Sequence, residues 1–277
     1  MTADARALAV RQVLAVQALE LRKRFLGKRS IPVYLLALIP LALFGARTVA
    51  MLVFHLSDDS IAQDQVVYAV LFRTLILRFV VYFGCVAVFV PLFRGDILDR
   101  SLHYYLLAPL TRRMLASAKY LSGLVAALLL FNGVTAITWV LLYLSHGPEA
   151  LIAKLASGRG LIELAGYLLV TSLACIAYGA VFLAAGVYFR NPIVPAVIIL
   201  GWESINIFLP PVLKKVSVIH YLESLCPVSI PADSGIAILA DPASPWVAIP
   251  AILILTATLV SAAAAKARRL EVLYGVE

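Results

Sequence analysis

Charged residues are scarce in this sequence: Asp, Glu, Lys and Arg together make up 14% of its 277 residues. Soluble domains carry about 25% charged and about 45–50% apolar residues, whereas this chain is 63% hydrophobic and has a mean hydropathy of +0.98. This composition excludes a soluble domain and predicts an integral membrane protein. The net charge of +8 would suggest nucleic-acid binding in a soluble protein, but here we assign the cations to membrane topology and expect no nucleic-acid partner.

The sequence also lacks the motifs of metal, redox and nucleotide chemistry. Its three cysteines lie at no metal-binding or disulfide spacing, and its four histidines form no His-Glu-x-x-His motif. No Gly-x-x-x-x-Gly-Lys-Ser/Thr loop is present, because the nearest string, LGKRS at 26–30, lacks the earlier glycine. We therefore expect no metal, no cofactor and no catalytic activity in this chain. Without internal repeats or low-complexity tracts, residues 1–277 are interpreted as one domain.

Six apolar runs are long enough, or nearly so, to cross a membrane. A membrane-spanning helix needs about 20 apolar residues, and the runs that meet or approach this length cover 31–54, 70–93, 115–144, 161–189, 193–209 and 246–265. The first run is longer than the apolar core of a signal peptide, which has about 7–15 residues, so we expect it to be retained. The sequence predicts an all-α membrane protein with six transmembrane helices.

The distribution of Lys and Arg predicts the orientation. Six spans place both termini on one side, and 16 Lys and Arg residues lie in segments on that side, against four in segments on the other. Because cytosolic loops are enriched in Lys and Arg, we expect a multi-pass protein of the plasma (inner) membrane with both termini in the cytosol.

Two further segments are predicted to lie against the membrane. In 5–28, apolar residues recur every three or four positions with cations largely off that stripe, which indicates an amphipathic interfacial helix; the alternative is a cationic lead-in that orients the first span. The segment 210–245 is half apolar but interrupted by prolines. It predicts short helices that re-enter the outer leaflet or, equally, a structured external loop.

Ionisable residues within the spans are candidate functional groups. Glu203 would lie roughly 15 Å deep in the fifth span, where a charge is costly, and Asn206 adds to the polarity of the segment. Glu203, Asn206 and Arg78 are therefore candidates for a substrate path. The alternative is a structural Glu203 paired with Arg47 or Arg78. Arg73 and Arg78 are five residues apart, about 140° around an α-helix, so their side chains should face different directions. Each arginine is expected to pair inside the protein or to snorkel to the membrane interface; the alternative is that it binds an anionic group.

One water-facing stretch, 94–113, lies between the second and third runs. It reads RGDILDRSLHYYLLAPLTRR, with Ile97, Leu98, Leu102 and Leu106 at helical spacing and Pro109 as a stop. This pattern predicts a short amphipathic cytosolic helix that a partner protein can bind; the alternative is a solvated connection between two spans.

The string RSLHYYLLAPLTRRMLASAKYLSG resembles the cytosolic segment that follows the second span of ABC-2 type permeases, the membrane subunits of one class of ATP-driven transporters. The pattern of that family is approximately E-x-x-x-G-T-L-E-x-L-L-x-x-P-x-x-R, followed by a Lys in the next span. The matching positions are Ser101, Leu102, Leu106, Pro109, Arg112 and Lys119. The sequence departs from the pattern at Asp96, Arg100 and His103, which replace Glu, Gly and Glu.

The resemblance implies that 94–113 is a coupling helix docked on a separate ATPase subunit, which would bind ATP and Mg²⁺. It implies a non-catalytic permease subunit that pairs with a second copy or a homologue and exports a hydrophobic or amphiphilic substrate. The implied coupling residues are Asp96, Asp99, Arg100, Ser101, Leu102, His103, Leu106, Pro109 and Arg112. Two other functions compete: a membrane-embedded enzyme that modifies lipids, and a scaffold that transports nothing.

Overall fold

The computed structural model describes residues 27, 30–54, 60–98, 112–206, 210–228, 230 and 242–267, without the side chains at 96–98, 112–114 and 211. Over these residues the chain is helical and contains no strand. The predicted amphipathic helix at 5–28, apart from Gly27, lies outside the described residues.

The helices follow the apolar runs of the sequence. In chain order they are α1 (Ile31–Phe54), α2 (Ile61–Leu71), a π-helix (Phe72–Val81), α3 (Tyr82–Phe89), α4 (Pro91–Leu98), α5 (Arg112–Leu144), α6 (Pro148–Ala156), α7 (Arg159–Tyr188), α8 (Ile193–Ile205), α9 (Pro211–Lys214), α10 (Val218–Ser224) and α11 (Pro245–Ala267). From α2 to α4 the chain runs as one nearly continuous rod.

Within the residues that the structure describes, five helices are long and apolar enough to cross a membrane, which fits a multi-pass helical membrane protein. They cover Ile31–Phe54, Ile61–Gly95, Leu115–Leu144, Arg159–Tyr188 and Pro245–Ala267. The run predicted at 193–209 contains the 13-residue helix α8. At 1.5 Å per residue, α8 is about 20 Å long, shorter than a hydrocarbon core of about 30 Å, so a sixth crossing stays a prediction.

Helix α7 lies at the centre of the bundle, and small residues allow neighbouring helices to approach it closely. A Cβ atom on Gly179 would lie 2.5 Å from Cζ of Phe89, and one on Gly186 would lie 2.8 Å from the carbonyl oxygen of Val90. Close backbone contact at small residues is how membrane helices associate without a hydrophobic driving force. Helices α1 and α11, by contrast, expose apolar side chains such as Leu35 to the surroundings, as lipid-facing helices do.

The π-helix changes which residues share a face. A π-helix forms hydrogen bonds from residue i to residue i+5, so Arg73 and Arg78 lie one turn above each other. The expectation that these two arginines face different directions was wrong, because it assumed α-helical rotation of about 100° per residue. Both side chains contact the segment 223–228.

Candidate functional site

The structure brings together the three residues predicted for a substrate path. Nη1 of Arg78, on the π-helix, lies 3.4 Å from the backbone oxygen of Glu203 on α8. Asn206 follows one turn after Glu203, and both side chains are buried. Arg78 and Glu203 contact helix α10, so the cluster lies where the π-helix, α8 and α10 meet.

The carboxylate of Glu203 anchors the start of helix α10. Its Oε2 accepts hydrogen bonds from Oγ of Ser217 at 2.5 Å and from the backbone N–H of Ile219 at 3.0 Å, and its Oε1 accepts one from the N–H of Val218 at 3.0 Å. Backbone N–H groups at a helix start have no partner in the helix and favour a negative charge. Glu203 therefore acts as a capping group supplied by another helix, and neither predicted partner, Arg47 or Arg78, forms a salt bridge with its carboxylate among the described contacts.

Arg78 pairs instead with Glu223 on α10. Its Nη2 and Nε atoms donate to Oε1 of Glu223 at 2.8 and 3.2 Å. The same guanidinium reaches the backbone oxygen of Glu203, so one side chain links the π-helix, α8 and α10. Both partners are partly exposed, and the pair fixes position more than it adds stability.

Arg73 holds the chain that follows α10. Its Nη2 atom donates to the backbone oxygen of Val228 at 2.8 Å. Together with Arg78, it attaches the segment 210–228 to the π-helix at two successive turns. Ile219 and Leu222 of α10 are fully buried in the core, so this segment is an integral part of the bundle and not a loose connection.

A second group of polar contacts, which the sequence reading did not anticipate, lies where α1, α2 and α5 meet. Asp64 is buried on α2; it forms an ion pair with Nη2 of Arg47 at 2.5 Å and lies within hydrogen-bonding distance of Nε2 of His146, at 2.7 Å. The sequence contained one signal, since Arg47 stood unexplained near the end of a span. Its partner could not be identified, because the pair requires the register of the α1–α2 hairpin.

Glu163 on α7 collects three donors from the same region. Trp139 and Tyr143 of α5 donate to its Oε1 at 3.2 and 3.0 Å, and Nζ of Lys154 lies 2.8 Å from its Oε2. These contacts tie α5, α6 and α7 together. Within the described residues, no group of three or more His, Cys, Asp or Glu side chains is arranged to hold a metal ion.

The predicted coupling residues lie mostly outside the described residues. Only the backbone of Asp96, in α4, and of Arg112, at the start of α5, is described. The side chains named for ATPase coupling that fall outside are Asp99, Arg100, Ser101, Leu102, His103, Leu106 and Pro109. Lys119, which matches the lysine of the family pattern, is fully buried on α5 with its Nζ 5.7 Å from the ring centroid of Phe93.

The residues predicted for a substrate path thus belong to one of the polar clusters that the described part of the bundle contains. Arg73, Arg78 and Glu203 hold the segment 210–228 against the π-helix and α8. Such an arrangement can position a chain segment and present charged groups within the membrane. Compared with known proteins, the chain matches no family model, no curated protein and no solved structure.

Proposed function

We propose that this chain is the membrane-spanning permease subunit of an ATP-driven transporter of the ABC-2 type, and that it exports a hydrophobic or amphiphilic substrate. The observation that carries the proposal is the segment 94–113, with its leucines, Pro109 and Arg112 at the spacing of a coupling helix. It joins two long apolar helices, the rod that ends at Leu98 and α5, which begins at Arg112. A water-facing stretch between two spans can bind a soluble ATPase subunit.

The proposed topology has six crossings, with both termini and 94–113 on the cytosolic side of the plasma membrane. The positive-inside distribution supports this orientation. The sixth crossing is the run 193–209, which begins with α8. With an even number of crossings, the ATPase contact and both termini lie in the compartment that contains ATP.

In this proposal the ATPase subunit binds ATP and Mg²⁺, and this chain converts the motion of the ATPase into movement of the spans. The rod from α2 to α4 leads from Arg73 and Arg78 to the segment 94–113. A displacement of that segment would move the rod as a unit, and a transporter switches when a contact differs between its two states. Two such permease subunits, identical or homologous, would enclose the path.

We place the substrate path beside Arg78, Glu203 and Asn206. Ionisable and amide groups are costly within a bilayer and usually line a cavity or a pathway. Oδ1 of Asn206 is buried and accepts no hydrogen bond from the described residues, and we propose that a polar group of a passing amphiphile donates to it.

The experiment replaces Leu102 and Leu106 with Asp in the tagged full-length chain and isolates it from its native membranes. The double variant should lose a Walker-motif ATPase from the eluate, together with the Mg-ATP hydrolysis that accompanies it, because the apolar face of the coupling helix is gone. A matched control replaces Ile152 and Val212, two exposed apolar residues outside 94–113, with Asp and should retain the ATPase. An eluate without any ATPase, or equal ATPase recovery from both variants, would refute the proposal.

A further inference from the structure

Among the described residues, Arg73 differs from Arg78, the other half-buried arginine of the π-helix, in having no acidic partner. Arg78 pairs with the carboxylate of Glu223, whereas the described contacts of Arg73 are a hydrogen bond to the carbonyl oxygen of Val228 and one with the thiol of Cys226. The Nε atom of Arg73 is buried and has no acceptor within the described part of the chain. A buried charge normally has a partner that compensates it, so this guanidinium is incompletely satisfied.

The thiol beside Arg73 does not supply the missing charge. Cys226 is a close neighbour of the guanidinium, and burial raises the pKa of its thiol to about 12, despite the opposing effect of Arg73. A thiol with that pKa stays protonated near neutral pH. Cys226 therefore supplies no negative charge beside the guanidinium of Arg73.

A second unsatisfied donor lies on the neighbouring helix α7. Tyr167 is fully buried, and its hydroxyl has no hydrogen-bond partner among the described residues. Its ring packs edge-on against Phe72, the residue before Arg73, with ring centroids 4.6 Å apart, and its electrostatic neighbours include Arg73 and Cys226. Pro227 would lie 3.0 Å from a Cβ atom on the adjacent Gly166, so the chain after α10 closes over this point.

We infer that Arg73 and Tyr167 form a binding site for a phosphate-type anion, such as the headgroup of an anionic lipid. A phosphate oxygen accepts charge-assisted hydrogen bonds from a guanidinium and a further bond from a hydroxyl. Such an anion would satisfy both buried donors and compensate the charge on Arg73. Arg73 is half-buried, so part of its side chain remains accessible from the surface.

This site goes beyond the proposed transport function, because it needs neither an ATPase subunit nor a second permease. Its position also gives the anion a structural effect. An anion bound by Arg73 on the π-helix and Tyr167 on α7 would bridge these elements directly beside Val228. It would hold the segment 210–228 in place from the side opposite Glu203.

The experiment measures the thermal midpoint of the purified full-length chain in a non-ionic detergent. Dioleoylphosphatidylglycerol should raise the midpoint by about 5 °C at saturation, and dioleoylphosphatidylcholine should not, because ligands that bind only the folded state stabilise it. Arg73→Gln should lose this shift. Arg78→Gln is the matched control, since it removes one positive charge from the same helix face and should keep the shift.

Tyr167→Phe separates binding from folding. Removing an unsatisfied hydroxyl should not lower the midpoint without lipid, yet it should reduce the shift that phosphatidylglycerol causes. If inorganic phosphate alone produces the same Arg73-dependent shift, the anion site is supported and its ligand is free phosphate. The inference is overturned if phosphatidylglycerol has no effect, or if Arg73→Gln responds to it as strongly as Arg78→Gln does.

Discussion

The capping role of Glu203 predicts the effect of a single isosteric substitution. Glu203→Gln keeps the shape of the side chain but removes its negative charge. The amide NH₂ of Gln cannot accept the hydrogen bonds that a carboxylate oxygen accepts from N–H and O–H groups. The carboxylate receives three hydrogen bonds, from Ser217, Val218 and Ile219. Bonds to a charged group contribute about 1.5–3 kcal/mol each, and Gln retains some of them. We expect a loss of about 3 kcal/mol in the free energy of unfolding.

The assay is thermal unfolding of the purified chain in detergent, where a loss of about 3 kcal/mol should lower the midpoint by roughly 6–12 °C. Ser217→Ala, which removes one of the three donors, should have about a third of that effect. Ser204→Ala is the control, because the described contact of this exposed neighbour is a hydrogen bond to the carbonyl oxygen of Leu200 within its own helix. If Glu203→Gln melts within about 2 °C of the wild type, the carboxylate does not hold α10 and the capping argument fails.

Two further substitutions test the packing. Asp64→Asn should lower the free energy of unfolding by about 2–3 kcal/mol, because it leaves Arg47 without its acidic partner; an unchanged midpoint in detergent would contradict the buried pair. Gly186→Ala should destabilise by about 1–3 kcal/mol because its Cβ meets the carbonyl oxygen of Val90. Gly45→Ala is the control: no described atom lies within 4 Å of the new Cβ, so this variant should be neutral or stabilising. Heating followed by size-exclusion chromatography compares the folded fractions of the two variants. Equal losses of folded protein would contradict the close contact between Gly186 and Val90.

The long helices could be predicted because their signal is local. The run predicted at 31–54 coincides with α1, and the last run, 246–265, lies within α11. Membrane helices satisfy every backbone group within the segment, so apolar length alone identifies them. The run at 193–209 was harder to interpret, because it approached the required length and contains the 13-residue helix α8.

The π-helix could not be predicted from the sequence. Residues 72–81, FRTLILRFVV, carry no proline or glycine to mark an irregular turn. We attribute its geometry to tertiary contacts, including those that Arg73 and Arg78 make with residues more than 100 positions later in the chain. A reading based on 3.6 residues per turn therefore placed these two arginines on different faces, although their internal pairing was one of the alternatives.

The residues of the candidate site were easier to predict than their partners. A carboxylate and an arginine in apolar runs are conspicuous, so Glu203 and Arg78 were found, and the structure places them side by side. One alternative from the sequence was that Glu203 pairs with Arg47 or Arg78, but Glu203 binds the start of α10 and Arg78 binds Glu223. The N-terminus of a helix favours a nearby negative charge, but long-range packing decides which carboxylate lies there.

The π-helix also shifts the phase of the rod in which it lies. Each π turn accommodates one residue more than the i to i+4 ladder of an α-helix, so the buried stripe of α2 and that of α3 are not in register with each other. Helical-wheel plots drawn through 61–89 as one helix will misassign the lipid-facing side of one half. Homologues aligned across this stretch should tolerate a one-residue gap between positions 72 and 81 more readily than anywhere else along the rod.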